Sequence, residues 1–363
     1  MTEEKKFAVG AGITSACNMG CNFCYSVERR NDTPDIHITK WMNFFSRNQD
    51  KISDVNFGTG ENTLVNSWFD LVEFIGDLNA DIGQALTTNG SLVSRIGGSS
   101  RKDNIVTSNL SDVDVSLDYA NEHRHNSFRG NRNAFNMALD TLAYCKESGF
   151  NTTVVVMGID ETLALPNMEG IFSIAAEYDA LVRVNIYRPV NKGNGLMPPS
   201  FDVLMSLFDW VAENHYICSL SDPLFSSVLS KQEPQSDPSG KSSVRILPDG
   251  SVYPSTYLIS PDFCLGNIDD EEIFDSLPRS KVVDSLKGLP KECGGCDVVE
   301  GCGGGTIDRR ILWNGTTEIR DPYCPKNFGL GTSLRSYDVH PDGFSSIHDG
   351  YLPTIFFKPK IGK

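Results

Sequence analysis

Phe7-Ala-Val-Gly-Ala-Gly-Ile-Thr-Ser-Ala-Cys17-Asn-Met-Gly-Cys21-Asn-Phe-Cys24-Tyr25 is the stretch that organises the rest of the chain. It opens as a short apolar run, which predicts a strand from Phe7 to Ile13, and passes directly into a loop with Cys-x3-Cys-x2-Cys spacing. Loops at the C-terminal ends of barrel strands are where α/β enzymes place their chemistry. Three thiolates within eight residues can take three corners of an iron-sulfur cube and leave the fourth iron without a protein ligand. A structural zinc would want four ligands, and no nearby His or Cys completes this set.

Outward from this loop, residues 7 to 188 alternate short apolar runs with amphipathic segments, the pattern of strand-helix units around a parallel sheet. Five further strands are predicted: Asp54 to Phe57, Gln84 to Thr88, Val113 to Leu117, Thr153 to Met157 and Val182 to Tyr187. Between them lie helical faces such as Val65, Trp68, Phe69, Val72 and Ile75, or Phe135, Ala138, Leu139 and Leu142 with Gly149 as the stop. Six units predict an α/β fold, a partial (β/α)6 barrel, over residues 1–215. A helix from Ser200 to Asn214, following Pro198 and Pro199, covers its edge. Residues 216–242 read as a bridging segment ending in an exposed polar linker, 231–242. A small C-terminal iron-sulfur extension is expected over 243–330, with a hairpin at Asp249-Gly250 and a helical stretch, Glu271 to Leu286, broken by Pro278. An irregular tail is expected over 331–363.

With 39% hydrophobic, 10% aromatic and 22% charged residues, the composition is that of a globular protein. A formal charge of -15 with scattered Lys and Arg speaks against nucleic acid as a partner. No apolar run is long enough to cross a membrane, and Met1 to Lys6 has no signal-like apolar region, so no membrane association and a cytoplasmic location are expected. In that compartment clustered thiols hold metal more often than they form disulfides.

Seven of the ten cysteines fall in two groups. The second is Cys293-x2-Cys296-x5-Cys302 with Cys324 after 21 intervening residues, a set that fits one closed 4Fe-4S cluster or a zinc ribbon. Cys145, on the apolar face of a helix, and Cys218, in a short apolar strand, read as core thiols. Cys264 stays open between a core thiol and a reactive group.

The first motif, with Phe23 before its last cysteine and Tyr25 after it, resembles the signature of the radical S-adenosylmethionine superfamily. Phe57-Gly58-Thr-Gly60-Glu61-Asn62 resembles that family's Gly-Gly-Glu-Pro turn, although Thr59 separates the glycines and Asn62 replaces proline. Thr88-Asn89-Gly90 and Val115-Ser116 resemble its ribose- and carboxylate-binding positions, and His125-Asn126 with Arg129-Gly130 resemble a His-Asp and Arg-Gly pairing. The resemblance implies a 4Fe-4S cluster on Cys17, Cys21 and Cys24 whose open iron binds S-adenosylmethionine. It places Phe23, Tyr25, Gly58, Gly60, Glu61, Asn89, Ser116 and Arg129 around the cofactor. The C-terminal set resembles the SPASM/twitch-like extension of peptide-modifying members. It implies one auxiliary 4Fe-4S cluster on Cys293, Cys296, Cys302 and Cys324, because Ser255 and Thr306 stand where further ligating cysteines are usual.

The implied activity is an oxidoreductase. It forms a 5'-deoxyadenosyl radical and abstracts hydrogen from a ribosomally made precursor peptide, giving a crosslink, backbone rearrangement or excision. Alternatives are a dehydrogenase of a small polyol or sugar, sulfatase-maturase-like protein oxidation, and a non-enzymatic iron or zinc sensor. Because the first strand starts near Phe7, a separate small leader-binding protein is an expected partner, with flavodoxin or ferredoxin as electron donor. His123, His125 and Asp118 are candidates for acid-base roles.

Overall fold

The computed structural model describes residues 6–26, 35–190, 194–332 and 334–360. The six strands read from the sequence form a continuous parallel run: β1 (Phe7–Ala11), β2 (Ile52–Phe57), β3 (Gly83–Thr88), β4 (Asp112–Ser116), β5 (Asn151–Gly158) and β6 (Leu181–Ile186). Five more strands complete one sheet: β7 (Tyr216–Leu220), β8 (Ser243–Ile246), β9 (Ser251–Tyr253), β10 (Gly266–Asn267) and β11 (Ile355–Lys358). The order is β10, β9, β8, β1, β2, β3, β4, β5, β6, β11, β7, an open sheet and therefore the partial barrel that six units predict.

Helices cover the outer face because their apolar stripes need burial. In Asn66–Leu78 the residues Trp68, Phe69, Leu71, Val72 and Ile75 are all buried. Each such side chain contributes about 1.5–3 kcal/mol. The Ala134–Ser148 helix stops at Gly149 with φ 75°, and Phe201–Asn214 begins where Ser200 Oγ accepts from Val203 N–H. Cys145 and Cys218 are buried core thiols, their pKa values pushed up to about 12 and about 11, first by burial.

The expected irregular tail is corrected by β11. Its Ile355-Phe-Phe-Lys run inserts between β6 and β7, antiparallel to both, with Ile355, Phe356 and Phe357 buried. A run of only three apolar residues among Gly, Ser and Pro carries no periodicity, but an open strand edge on each side supplies its hydrogen bonds. The exposed linker is also corrected in part. Lys231–Ser236 are exposed, but Asp237–Gly240 are buried, because Asp237 Oδ2 accepts from Ile307 N–H at 2.8 Å and Oδ1 from Ser239 N–H at 2.9 Å. Beyond them β8 pairs parallel with β1, and the Asp249-Gly250 turn joins it to β9 as the expected hairpin. Pro278 divides the following helical stretch into Ile273–Ser276 and Lys281–Leu286.

Candidate active site

Polar residues enter the barrel interior through the two-residue period of its strands. Asp112, Asp114 and Ser116 alternate with valines in β4, Arg183 and Asn185 do so in β6, and Arg245 sits between Val244 and Ile246 in β8. The interior opens at the C-terminal ends of the strands into a cavity with ≈ 1160 Å³ of free space including its mouth. Cys17, Cys21 and Cys24 line one end of it, together with Phe23, Tyr25, Gly58, Gly60, Asn89, Ser116 and Arg129.

Cys24 and Cys17 lie close enough to Cys21 to raise its cost of ionisation. The pKa of Cys21 rises to about 11, first by burial, offset by Arg129 and reinforced by Cys24 and Cys17. Asn89 Nδ2 lies 3.6 Å from Cys17 Sγ and donates to Asn18 Oδ1 at 2.9 Å. Phe23 stacks on Phe128 with centroids 4.4 Å apart, and the Arg129 guanidinium lies 5.1 Å from the Phe23 ring centroid. Among the described residues no three His, Cys, Asp or Glu side chains come close enough to share a single ion.

The glycine turn after β2 is held against the cysteine loop by backbone. Glu61 N–H donates to Ala16 O at 2.8 Å, and a Cβ on Gly60, which has φ 62°, would meet Thr14 O at 2.4 Å and Ala16 O at 2.6 Å. Only glycine tolerates that approach and that φ together. Glu61 does not line the cavity, unlike the other residues expected around the cofactor. It is fully buried one layer behind, accepting from Asn89 N–H (2.8 Å), Thr63 Oγ1 (2.6 Å) and Thr88 Oγ1 (3.0 Å), and burial raises its pKa. It ties the β2 turn to the β3 turn.

Asp118 and His125 are likewise buried and do not line the cavity. Asp118 N–H donates to His125 Nδ1 at 3.1 Å, while Asp118 Oδ2 accepts from Arg129 Nε at 2.6 Å and Oδ1 from Met157 N–H at 2.9 Å. Burial depresses the His125 pKa to about 4. His123 is exposed beside Tyr119 and Arg124, on a separate surface hollow. None of these three lines the cavity; Asp118 and His125 lie buried behind its wall. Residues missed in the sequence are Arg183, Arg188, Arg245, Tyr257, His348 and Tyr351, all on the cavity wall. Arg183 within Leu-Val-Arg-Val-Asn-Ile was a legible signal, since a charge in a buried parallel strand needs a partner or a task.

The second cysteine group converges too. Cys293, Cys296, Cys302 and Cys324 line one apolar pocket with Leu224, Val228 and Val299. Its loops are stapled by Arg309, buried between Asp222 (2.7 Å) and Asp321 (2.6 Å), and by Arg310, which donates to the carbonyls of Gly303 and Gly288. A Cβ on Gly305, φ 91°, would meet Asp321 Cβ at 2.2 Å. Burial, then Asp321, pushes the Cys302 thiol up to about 12. Ser255 and Thr306 are both buried: Ser255 Oγ is 3.4 Å from Asp308 Oδ2, and Thr306 N–H donates to Asp321 Oδ2 at 3.0 Å while its Oγ1 meets no protein partner. Cys264 is half-buried beside Tyr25, Phe263 and Tyr253, with its thiol 3.5 Å from Gly266 O, and does not line the cavity.

Residues 12–165 match the Radical SAM superfamily. No curated protein matches the chain by sequence. Among solved structures, Streptococcus suis SuiB bound to precursor peptide SuiA aligns with TM-score 0.70 and 14% identity over 88% of this chain and 76% of that one. SuiB bound to S-adenosylmethionine aligns with TM-score 0.69 and 15% identity over 88% and 77%. anSMEcpe with bound AdoMet and Cp18Cys peptide aligns with TM-score 0.66 and 19% identity over 88% and 94%. At such identities the likeness is one of fold. No helix among the described residues is long and apolar enough to cross a membrane. Residues 12–165 thus match the Radical SAM superfamily, on a partial α/β barrel fold shared with those structures.

Proposed function

We propose that this enzyme oxidises a ribosomally made peptide. The observation that carries the reading is the single cavity joining Cys17, Cys21 and Cys24 to the Gly58–Gly60 turn, Asn89, Ser116 and Arg129. The donor set fits the cofactors that the superfamily implies: three sulfurs at one end suit a 4Fe-4S cluster with one iron free for S-adenosylmethionine. When bound, these groups supply a 5'-deoxyadenosyl radical able to abstract hydrogen.

The chain's own residues then bind and orient. The backbone around Gly58 and Gly60 receives the methionine amino group, Arg129 its carboxylate, and Asn89 and Ser116 the polar rim of the nucleoside. Phe23 and Tyr25 exclude water beside the cysteines. Asp118 holds Arg129 in place from behind, and Glu61 fixes the spacing of two of the turns.

Cys293, Cys296, Cys302 and Cys324 would hold one auxiliary 4Fe-4S cluster as an electron acceptor, with four sulfurs and no open position. Asp308, Ser255 and Arg188 fill protein where another cluster's ligands would stand, Arg188 Nε lying 3.3 Å from Asp308 Oδ1. The enzyme acts in the cytoplasm, where clustered thiols hold metal, and is reduced by a flavodoxin or ferredoxin. The peptide substrate is supported by the precursor-peptide complex of SuiB and the peptide complex of anSMEcpe. A small leader-binding protein is the further partner we propose.

The test is anaerobic co-incubation of the reconstituted enzyme with short peptides encoded beside its gene, followed by mass spectrometry. Loss of two mass units or a backbone excision on one peptide supports the reading. Turnover of a free polyol with every peptide unchanged contradicts it.

A further inference from the structure

Four arginines line the cavity, Arg129, Arg183, Arg188 and Arg245, and no carboxylate does so among the described residues. Three of them are neutralised from behind the wall: Arg129 by Asp118 at 2.6 Å, Arg183 by Asp114 at 2.6 Å and Arg188 by Asp308 at 3.3 Å. Arg245 differs. It is 2% exposed, and its recorded contacts are all to neutral groups: the Gly58 carbonyl, Tyr25 Oη at 3.4 Å and Tyr351 Oη at 3.5 Å. Its Nε finds no protein acceptor, and neither do Nε and Nη1 of Arg183, itself 2% exposed.

A buried guanidinium without a counter-charge is costly, and unmet N–H groups add to that cost. The two arginines share a neighbour. Tyr257 lies within electrostatic reach of Arg183 and Arg188 and also of Arg245, with its ring 5.3 Å from the Arg188 guanidinium carbon. The C-terminal segment closes the same region. His348 Nδ1 stands 2.9 Å from Asp114 Oδ2, the oxygen that Arg183 also meets, and Tyr351 backs Arg245.

We infer that this floor, Arg183 and Arg245 around Tyr257, is a carboxylate-binding subsite for the substrate. A guanidinium is matched by a carboxylate, and Arg245, lining a wall without acids and without a counter-charge of its own, supplies the unmatched charge beside Arg183. The substrate is then a peptide that enters with an acidic side chain or its own C-terminal carboxylate. This rests on the peptide reading above. The carboxylate of S-adenosylmethionine is assigned to the cysteine end, at Arg129.

The experiment is calorimetric titration of the reconstituted enzyme, held under saturating S-adenosylmethionine so that the cofactor's own site is filled. The probes are glutarate, glutaramide, acetyl-Gly-Glu-Gly-amide, acetyl-Gly-Gln-Gly-amide and acetyl-Gly-Gln-Gly with a free C-terminus. The acid probes are expected to bind about tenfold or more tighter than their neutral partners, the charge-assisted increment for one buried pair. That preference should vanish in Arg245→Gln and Arg183→Gln and return in part in Arg245→Lys, which covers the case in which Arg183→Gln fails to fold. Whichever peptide keeps the preference identifies side chain or C-terminus as the source. Peptides bound with no acid preference would overturn the subsite and leave the peptide reading standing. Glutarate bound while no peptide binds would keep the subsite and overturn the peptide reading. No acid preference in any probe, or one that survives Arg245→Gln, would sink the subsite.

Discussion

Arg129 reaches the cavity with its Nε donating to Asp118 Oδ2 at 2.6 Å, so the cation on the wall is aimed by a carboxylate that never touches the cavity itself. Burial opposes the Arg129 charge, but Asp118, followed by Cys21, reverses that and holds its pKa above the usual value. Asp118→Ala leaves that guanidinium buried and unpaired, a loss of about 3–5 kcal/mol for a broken buried pair. Asp118→Asn keeps the shape and one acceptor. Thermal unfolding should show a large drop for Ala and a smaller one for Asn, and S-adenosylmethionine binding should weaken in both. Unaltered binding in a folded Asp118→Asn protein would mean that Arg129 does not serve the cofactor.

Gly60 is the backbone counterpart of that arrangement. Gly60→Ala must either abandon φ 62° or push apart the Thr14 and Ala16 carbonyls that carry the chain into Cys17. The conformational part alone costs on the order of 1 kcal/mol, with the clash in addition. The expected outcome is weaker S-adenosylmethionine binding together with a lowered melting temperature, whereas Gly98→Ala, with nothing within 4 Å of its Cβ, should leave binding unchanged. Equal behaviour of the two variants would contradict the close-approach argument.

His125 couples this site to acid. Its folded pKa, about 4, is depressed below the ordinary value of 6.5 by burial, so it stays neutral in the folded protein while an unfolded chain takes up the proton. Stability from this group is complete above pH 6.5 and is lost as pH falls toward 4, by at most about 3 kcal/mol. Chemical denaturation between pH 7 and pH 4.5 should show a shallower acid loss in His125→Asn than in the parent. The same slope in both would place the acid sensitivity elsewhere, with half-buried His215 the next candidate, since its pKa is also depressed to about 4 by burial and then Lys360.

The two cysteine groups predict about eight irons per reconstituted chain. About four irons with one zinc would give the C-terminal group to zinc. If that group accepts the substrate's second electron, Cys324→Ala should lower product far more than 5'-deoxyadenosine. Parallel loss of both with melting temperature would reduce it to a structural staple, as when a structural metal is lost.

The six parallel strands were legible because each is a short, nearly continuous apolar run followed by a periodic helix, and both cysteine groups were legible as spacing. What escaped was set by the third dimension. β11 is recognisable only once β6 and β7 leave a gap for Ile355, Phe356 and Phe357, and His348 reaches the barrel only because that strand anchors the segment before it. Glu61, His125 and Asp118 carry the right chemistry at the right place in the chain, but sequence spacing does not distinguish a wall from the layer behind it. Arg183 stands out as a charge within a predicted strand, but its meeting with Arg245 in one cavity depends on β6 and β8 facing the same barrel interior.

The central claim is that Cys17, Cys21 and Cys24 hold the cluster that makes S-adenosylmethionine reactive in this cavity. The direct measurement is 5'-deoxyadenosine formed by the anaerobically reconstituted protein with S-adenosylmethionine and dithionite, in the parent and in the variant with all three cysteines changed to alanine. The account predicts 5'-deoxyadenosine from the parent and none from the variant, which should stay folded and keep the iron of its C-terminal group. Undiminished 5'-deoxyadenosine from the triple variant would contradict it.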